Sequence, residues 1–351
     1  MQQGKNCAIM SINLIGKQKG VCMIILQKKP DKDFIVLNLT DVQLDNNEWG
    51  EGHVHREIVE YTVKELIKKT NPDLITVSGD LAWAGCDGAY AMLADFLEQF
   101  KIPWAPIWGN HDNQNGAEFV DKIATSYLAK PHCLYEKGEP SLGNGNYVIC
   151  IEENSKPVEA IFMMDSHDKA AYVDENGEEK QAWAKLIPEQ IEWYEQQTDT
   201  LKAKGCKDST LIVHIPIYAY RVASQAAYKP SISLKDVTVA QADGEGCWQA
   251  GYTDSVGVQH EDISSYPQDD GVFAAIKEKG ITKHVVAGHD HVNNWIIRYD
   301  GVKMIFALKT GPGCYWEPCL NGGTVLKINK DGVYEVKHEY VDISHILSKQ
   351  Q

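Results

Sequence analysis

The chain has 351 residues, 43% hydrophobic and 24% charged, the balance of a globular protein with room for one large domain or two modest ones. A net charge of −15 argues against a nucleic acid polymer as main partner, which would demand a basic surface. No apolar run approaches the roughly 20 residues of a membrane span, and MQQGKNCAIMSINLIGKQKG lacks the apolar core and cleavage site of a signal peptide, so no membrane partner and a cytoplasmic location are expected.

The elements alternate along the chain. DFIVLNLTD (33–41) reads as a strand ending in a carboxylate, and HREIVEYTVKELIKKT (55–70) carries apolar residues at helical spacing before Pro72. DLITVSGD (73–80) is a second strand with a polar end, AYAMLADFLEQF (89–100) a helix, and IPWAPIWGNHD (102–112) a strand running into a loop. EAIFMMDS (159–166) and STLIVHIP (209–216) are further strands, with the helix IPEQIEWYEQQTDTLKAK (187–204) between them. VFAAIKEKG is a short helix ended by Gly280, and KHVVAGHDH (283–291) a strand. This order implies an α/β protein. Residues 1–32 read as an N-terminal extension packed on the core, and 33–351 as a single domain with a loop-rich insertion at about 218–270. Nine cysteines without a CxxC pair argue against a zinc ribbon or thioredoxin-like motif; Cys314 and Cys319 are close enough in sequence for a loop disulfide, though thiols suit a reducing compartment.

Polar residues recur where the apolar strands stop: Asp41, Asp80, Asn110 with His111, and His289 with His291; His214 lies inside LIVHIP. Each alone is ordinary. An Asp after a strand is usually a turn or cap, and a lone His in an apolar strand is usually a core histidine. Together they would meet at the carboxyl ends of the strands, where open α/β sheets bind ligands. Imidazole, carboxylate and a neutral amide oxygen suit Mn, Fe, Zn or Co rather than calcium.

Asp41, GD at 79–80, GNHD at 109–112, His214 and GHDH at 288–291 resemble the calcineurin-like metallophosphoesterase superfamily over about Asp33 to Asn329. GHDHVNNW, preceded by DDGVFAAI, is most similar to its purple-acid-phosphatase-related branch, and LKTGPGCYW matches more weakly. The resemblance implies a four-layer α/β/β/α sandwich. It also implies two divalent or trivalent metal ions with a bridging hydroxide, acting on a small phosphorylated substrate. Asp80 would bridge the two ions, Asp41 and His291 would bind the first, and Asn110, His214 and His289 the second. His111 would protonate the leaving oxygen, with Asp112 accepting a hydrogen bond that fixes its tautomer. A phosphomonoesterase is expected, with phosphodiesterase or nucleotide pyrophosphatase as alternatives.

Two positions depart from the pattern. The first motif is usually Asp-x-His, and Gln43 stands here instead, a weaker ligand, direct or through water. That leaves a weakly active or inactive metal-binding regulatory module as a reading of another class. Three residues after the bridging Asp, where purple acid phosphatases supply a tyrosinate, this chain has Trp83, so an iron-loaded protein should lack the tyrosinate visible band. Tyr218, Tyr220 and Arg221, which follow the His214 strand, are candidate substrate contacts; Trp104 and Trp108 read as core.

Overall fold

The apolar runs that stop at a polar residue become strands of two facing sheets. The computed structural model describes residues 23–229, 233–238 and 247–350. The larger sheet contains β1 (Met23–Gln27), β5 (Asn146–Glu153), β6 (Lys156–Met164), β9 (Ser209–Ile212), β10 (Thr282–Ala287), β11 (Ile296–Tyr299) and β12 (Val302–Phe306). Its spatial order is β1-β5-β6-β9-β10-β12-β11. The smaller sheet contains β2 (Phe34–Leu39), β3 (Leu74–Ser78), β4 (Trp104–Ile107), β13 (Gly322–Asn329) and β14 (Gly332–Tyr340), in the order β14-β13-β2-β3-β4. A separate hairpin joins β7 (Lys169–Val173) to β8 (Glu179–Trp183).

Strand alternation explains the layering, because successive side chains of a strand face opposite sides. Ile149 and Ile151 of β5 and Ile161 and Met163 of β6 enter the core between the sheets. Their neighbours Val148, Cys150, Phe162 and Met164 enter a second core on the outer face. That outer core is covered by α5 (Pro188–Ala203), α6 (Ala219–Ala227) and α7 (Val272–Lys279). The smaller sheet is covered by α1 (Val54–Thr70), α2 (Asp87–Glu98) and α4 (Gly116–Leu128). In α1 the buried Ile58, Val59, Thr62, Val63 and Leu66 form one stripe, and the helix ends where Asn71 turns left-handed and donates to the Ile67 carbonyl. The expected four-layer α/β/β/α sandwich is the observed architecture.

Parallel pairing sets where the site lies. β2, β3 and β4 run parallel in one sheet, and β6, β9, β10 and β12 in the other. Their carboxyl ends meet at one end of the sandwich.

Some boundaries differ from the sequence reading. His214 is not inside a strand: β9 ends at Ile212, so His214 occupies a post-strand loop like the other polar candidates. Within the segment 1–32, β1 is an integral strand paired in parallel with β5, and residues 1–22 lie outside the described ones. The stretch 218–270 carries α6 as well as loops. Cys314 and Cys319 are free thiols, not a disulfide. No helix of the described residues is long and apolar enough to cross a membrane.

Candidate metal centre

The loops that deliver the polar residues are held in unusual backbone. Asp41, Gln43, Asp80 and His289 all have positive φ, from 47° to 77°, a region non-glycine residues adopt at a cost of order 1–3 kcal/mol. Two bonds tie the first loops together: Asp41 N–H donates to the Gly79 carbonyl (3.1 Å) and Gln43 N–H to the Asp80 carbonyl (3.0 Å). The turn out of the pleat answers how two histidines of one His-x-His face one place: His289 is left-handed and His291 is not.

Two glycines are there because side chains press on them. A Cβ on Gly109 would fall inside contact distance of the Asp80 carboxylate and backbone nitrogen; one on Gly288 would strike Thr40 Oγ1 and Asp41 Oδ2. The glycines of GNHD and GHDH therefore let four loops close on one another.

At that point Asp80, His214 and His289 bring ligand atoms within 4.8 Å of one another, and so do Asp41, Asp80 and His291. Asp80 belongs to both groups. All five are buried. Asn110 is buried beside them, its Oδ1 3.0 Å from His214 Nε2. His214 Nδ1 donates to the Ser78 carbonyl (2.8 Å) and His291 Nδ1 to the Tyr315 carbonyl (2.8 Å). Each neutral ring then points an Nε2 lone pair inward, the arrangement typical of metal-binding imidazoles. His214 Nε2 faces Asp80 Oδ1 at 3.3 Å, and His291 Nε2 faces Asp41 Oδ1 at 3.3 Å. Acceptors this close need positive charge between them or on the ring.

The electrostatics agree. Burial opposes charge on Asp41, yet His291, His214 and Lys309 hold its carboxyl below the ordinary range. Burial opposes charge on His214, yet Asp80 and Asp41 hold its imidazole up to about 10. His289 goes the other way, pushed by burial and by His214 down to about 3. One imidazolium thus answers two buried carboxylates, and a divalent cation would supply the same charge. Asp41 Oδ1, His289 Nε2 and both amide atoms of Gln43 are buried without a hydrogen-bond partner. The orphaned acceptors among them, Asp41 Oδ1, His289 Nε2 and Gln43 Oε1, fit a metal ion; Gln43 Nε2 is a donor.

Other expected residues fall elsewhere. Asp112 does not hold His111. Neighbouring residues on the short helix α3 (Asn110–Asn113) project about 100° apart, so Asp112 turns inward. Its carboxylate accepts from Tyr90 Oη (2.6 Å), Gly109 N–H (2.6 Å) and Leu81 N–H (3.2 Å). His111 instead has Nδ1 3.2 Å from Gln114 Oε1 and its ring 4.4 Å from Trp83. Its backbone N–H donates to Asp80 Oδ1 (3.0 Å). Tyr220 is not a pocket residue: it is fully buried, packs on Trp295 and Phe306, and donates to the Val285 and Ile305 carbonyls. Arg221 is spent on a loop, donating to Ser265 Oγ (2.7 Å) and its carbonyl (3.0 Å). Tyr218 is half-buried just before α6. Trp104 and Trp108 are core, as read.

Three further residues stand at the centre, of which Lys309 and Trp183 were not anticipated. Lys309, just after β12, is buried and donates its amine to the Asp41 carbonyl. Trp183 of β8 lies 4.5 Å from the His289 ring, and Tyr315 stacks at 4.3 Å on His291. Only the glycine-rich LKTGPGCYW hinted at two of them.

The family model described as Calcineurin-like phosphoesterase matches residues 36–293, from β2 to just past His291. The chain belongs to the calcineurin-like phosphoesterase family. It is 26% identical over 270 residues to a protein named "Probable inactive purple acid phosphatase 14" of Arabidopsis thaliana, covering 70% of this chain and 60% of that one. It is 23% identical over 247 residues to "Phosphatase DCR2" of Saccharomyces cerevisiae, covering 67% and 37%. A solved purple acid phosphatase from yellow lupin seeds aligns over 93% of this chain and 57% of its own, at 11% identity and a TM-score of 0.41. The chain thus spans about 60% of the length of the first of these calcineurin-like relatives.

Proposed function

We propose that this calcineurin-like phosphoesterase hydrolyses phosphoesters with two metal ions shared through Asp80, and that its substrate is a small phosphomonoester. The observation that carries this reading is Asp80 belonging to both ligand groups, each within 4.8 Å. In it, Asp41 and His291 would hold one ion, and Asn110, His214 and His289 the other. When bound, such a pair lowers the pKa of a water and neutralises charge developing on the phosphoryl group. His111, half-buried and with no carboxylate hydrogen-bonded to its ring, donates the proton to the leaving oxygen, a role worth roughly 100- to 10,000-fold.

A specific observation favours a second reading, a metal-binding module with little turnover. Gln43 replaces the usual histidine, is buried, and leaves both amide atoms unpartnered. The name of the Arabidopsis relative points the same way. One experiment separates the two: metal content and hydrolysis after loading with Mn, Fe, Zn or Co, across phosphomonoesters, diesters and nucleotides. Two ions per chain with monoester turnover is the expected result. Bound metal with no turnover of any phosphoester would leave only the module. A Gln43→His variant that gains metal affinity or rate would identify the substitution as the cause of a weak first site.

A further inference from the structure

The hairpin of β7 and β8 belongs to neither sheet, yet it sits against the centre. Trp183, its last residue, packs edge-on to His289 at 4.5 Å. The Lys169 ammonium, across the hairpin from it, lies 2.9 Å from the centre of the Trp183 ring. Those two distances bound the Lys169 Nζ to within about 7.4 Å of the His289 ring.

Two features bear on the charge of this lysine in a chain of net charge −15. It has no carboxylate within ion-pair distance among the described residues, although many other lysines here do: Lys64, Lys122, Lys180 and Lys279 are all paired. Asp168 precedes it without forming an ion pair, yet the two charges attract: burial pushes the Asp168 carboxyl up and the Lys169 amine down, and each partly offsets the shift of the other. Lys169 is held by an aromatic face instead, which fixes an ammonium without cancelling its charge. The hairpin is also fixed. Tyr266 Oη donates to the Ala171 carbonyl (3.2 Å), Gln268 Nε2 to the Val173 carbonyl (2.8 Å), and Ala184 N–H to the Asp168 carbonyl (3.0 Å). A second lysine, Lys185, repeats the device 4.2 Å from the Tyr266 ring.

We infer that Lys169 is an anion-recognition residue of the proposed site, and that the substrate carries a second anionic group beside the phosphate that is cleaved. This deepens the phosphoesterase reading and rests on it for the position of the scissile phosphate. The second group is a phosphate or a carboxylate; both accept hydrogen bonds from an ammonium.

The test is calorimetric titration of the full-length, Mn-loaded protein with orthophosphate, pyrophosphate and phosphonoacetate. In the unaltered protein pyrophosphate should bind at least tenfold more tightly than orthophosphate. Lys169→Ala should weaken pyrophosphate at least tenfold and orthophosphate less than threefold, while Lys169→Arg retains the preference. If phosphonoacetate follows pyrophosphate, the second group includes carboxylates; if only pyrophosphate responds, it is a phosphate. Equal weakening of both anions by Lys169→Ala, or no weakening, overturns the inference, as does pyrophosphate that fails to bind. Failure of the underlying reading looks different: the anion preference and its loss would persist in a protein that hydrolyses no phosphoester.

Discussion

His111 and Asp112 are adjacent in sequence and opposite in work, and substitutions should separate them. His111 is half-buried, its ring bonded to Gln114 and braced by Trp83. His111→Ala should keep its metal and its melting temperature while losing roughly 100- to 10,000-fold in kcat, measured beside the metal content of the same sample. Full retained activity would remove it from the mechanism. Asp112 is a structural acceptor for three donors, and burial with Asp80 nearby raises its carboxyl to about 7. Asp112→Ala should leave the buried Gly109 and Leu81 N–H groups short of a partner, at about 1–3 kcal/mol apiece, while Tyr90 keeps the Ala82 carbonyl, and appear first as a lower melting temperature. Asp112→Asn should recover part of that loss.

The loops after the strands carry their own test. Gly109 has an ordinary backbone angle, so Gly109→Ala challenges only the space in front of Asp80. The variant should fold and lose about 10- to 100-fold in metal affinity, the range for groups that position ligands. At the far side of the smaller sheet, His338 in β14 accepts from Thr324 at Nδ1 (3.0 Å) and donates to the Asn294 carbonyl from Nε2 (2.6 Å). Burial pushes its imidazole down from 6.5 to about 4. The folded chain therefore resists a proton that the unfolded chain accepts. Stability from this group is complete above pH 6.5 and falls by up to about 1.4 kcal/mol per unit as pH drops toward 4. Denaturant titrations at pH 7 and pH 5 should show a smaller difference for His338→Gln than for the unaltered chain.

Elements like these mark what sequence could and could not reveal. The parallel strands were legible because each is an apolar run cut off by a turn-forming polar residue, and the same cut-offs carried the candidate ligands. The β13–β14 hairpin was overlooked although its signal, alternation around a Lys330-Asp331-Gly332 turn, is present. β7 and β8 gave little to read: KAAYV and EKQAW are exposed or half-buried throughout, so neither face has an apolar stripe. Tyr90, which donates to Asp112, lies 22 residues from it, and the carbonyls that accept from Tyr220 lie 65 residues or more away; only the folded chain brings them together.

On the scale of the whole molecule, the six proposed ligands divide by sheet. Asp41, Asp80 and Asn110 follow strands of the five-stranded sheet; His214, His289 and His291 follow strands of the seven-stranded one. Bound ions would therefore rivet the two halves of the sandwich together at one end. Chelation should lower the melting temperature, and added Mn should restore it in proportion to the logarithm of its concentration, about 2.7 kcal/mol at a hundred times Kd. The loss should be lopsided. Amide hydrogen exchange should quicken in the loops after β2, β3, β9 and β10 while the β5–β6 turn at the other end keeps its rate. A metal-starved molecule of this kind would behave like a book with its clasp undone, still bound at the spine and open only along the edge where substrate enters.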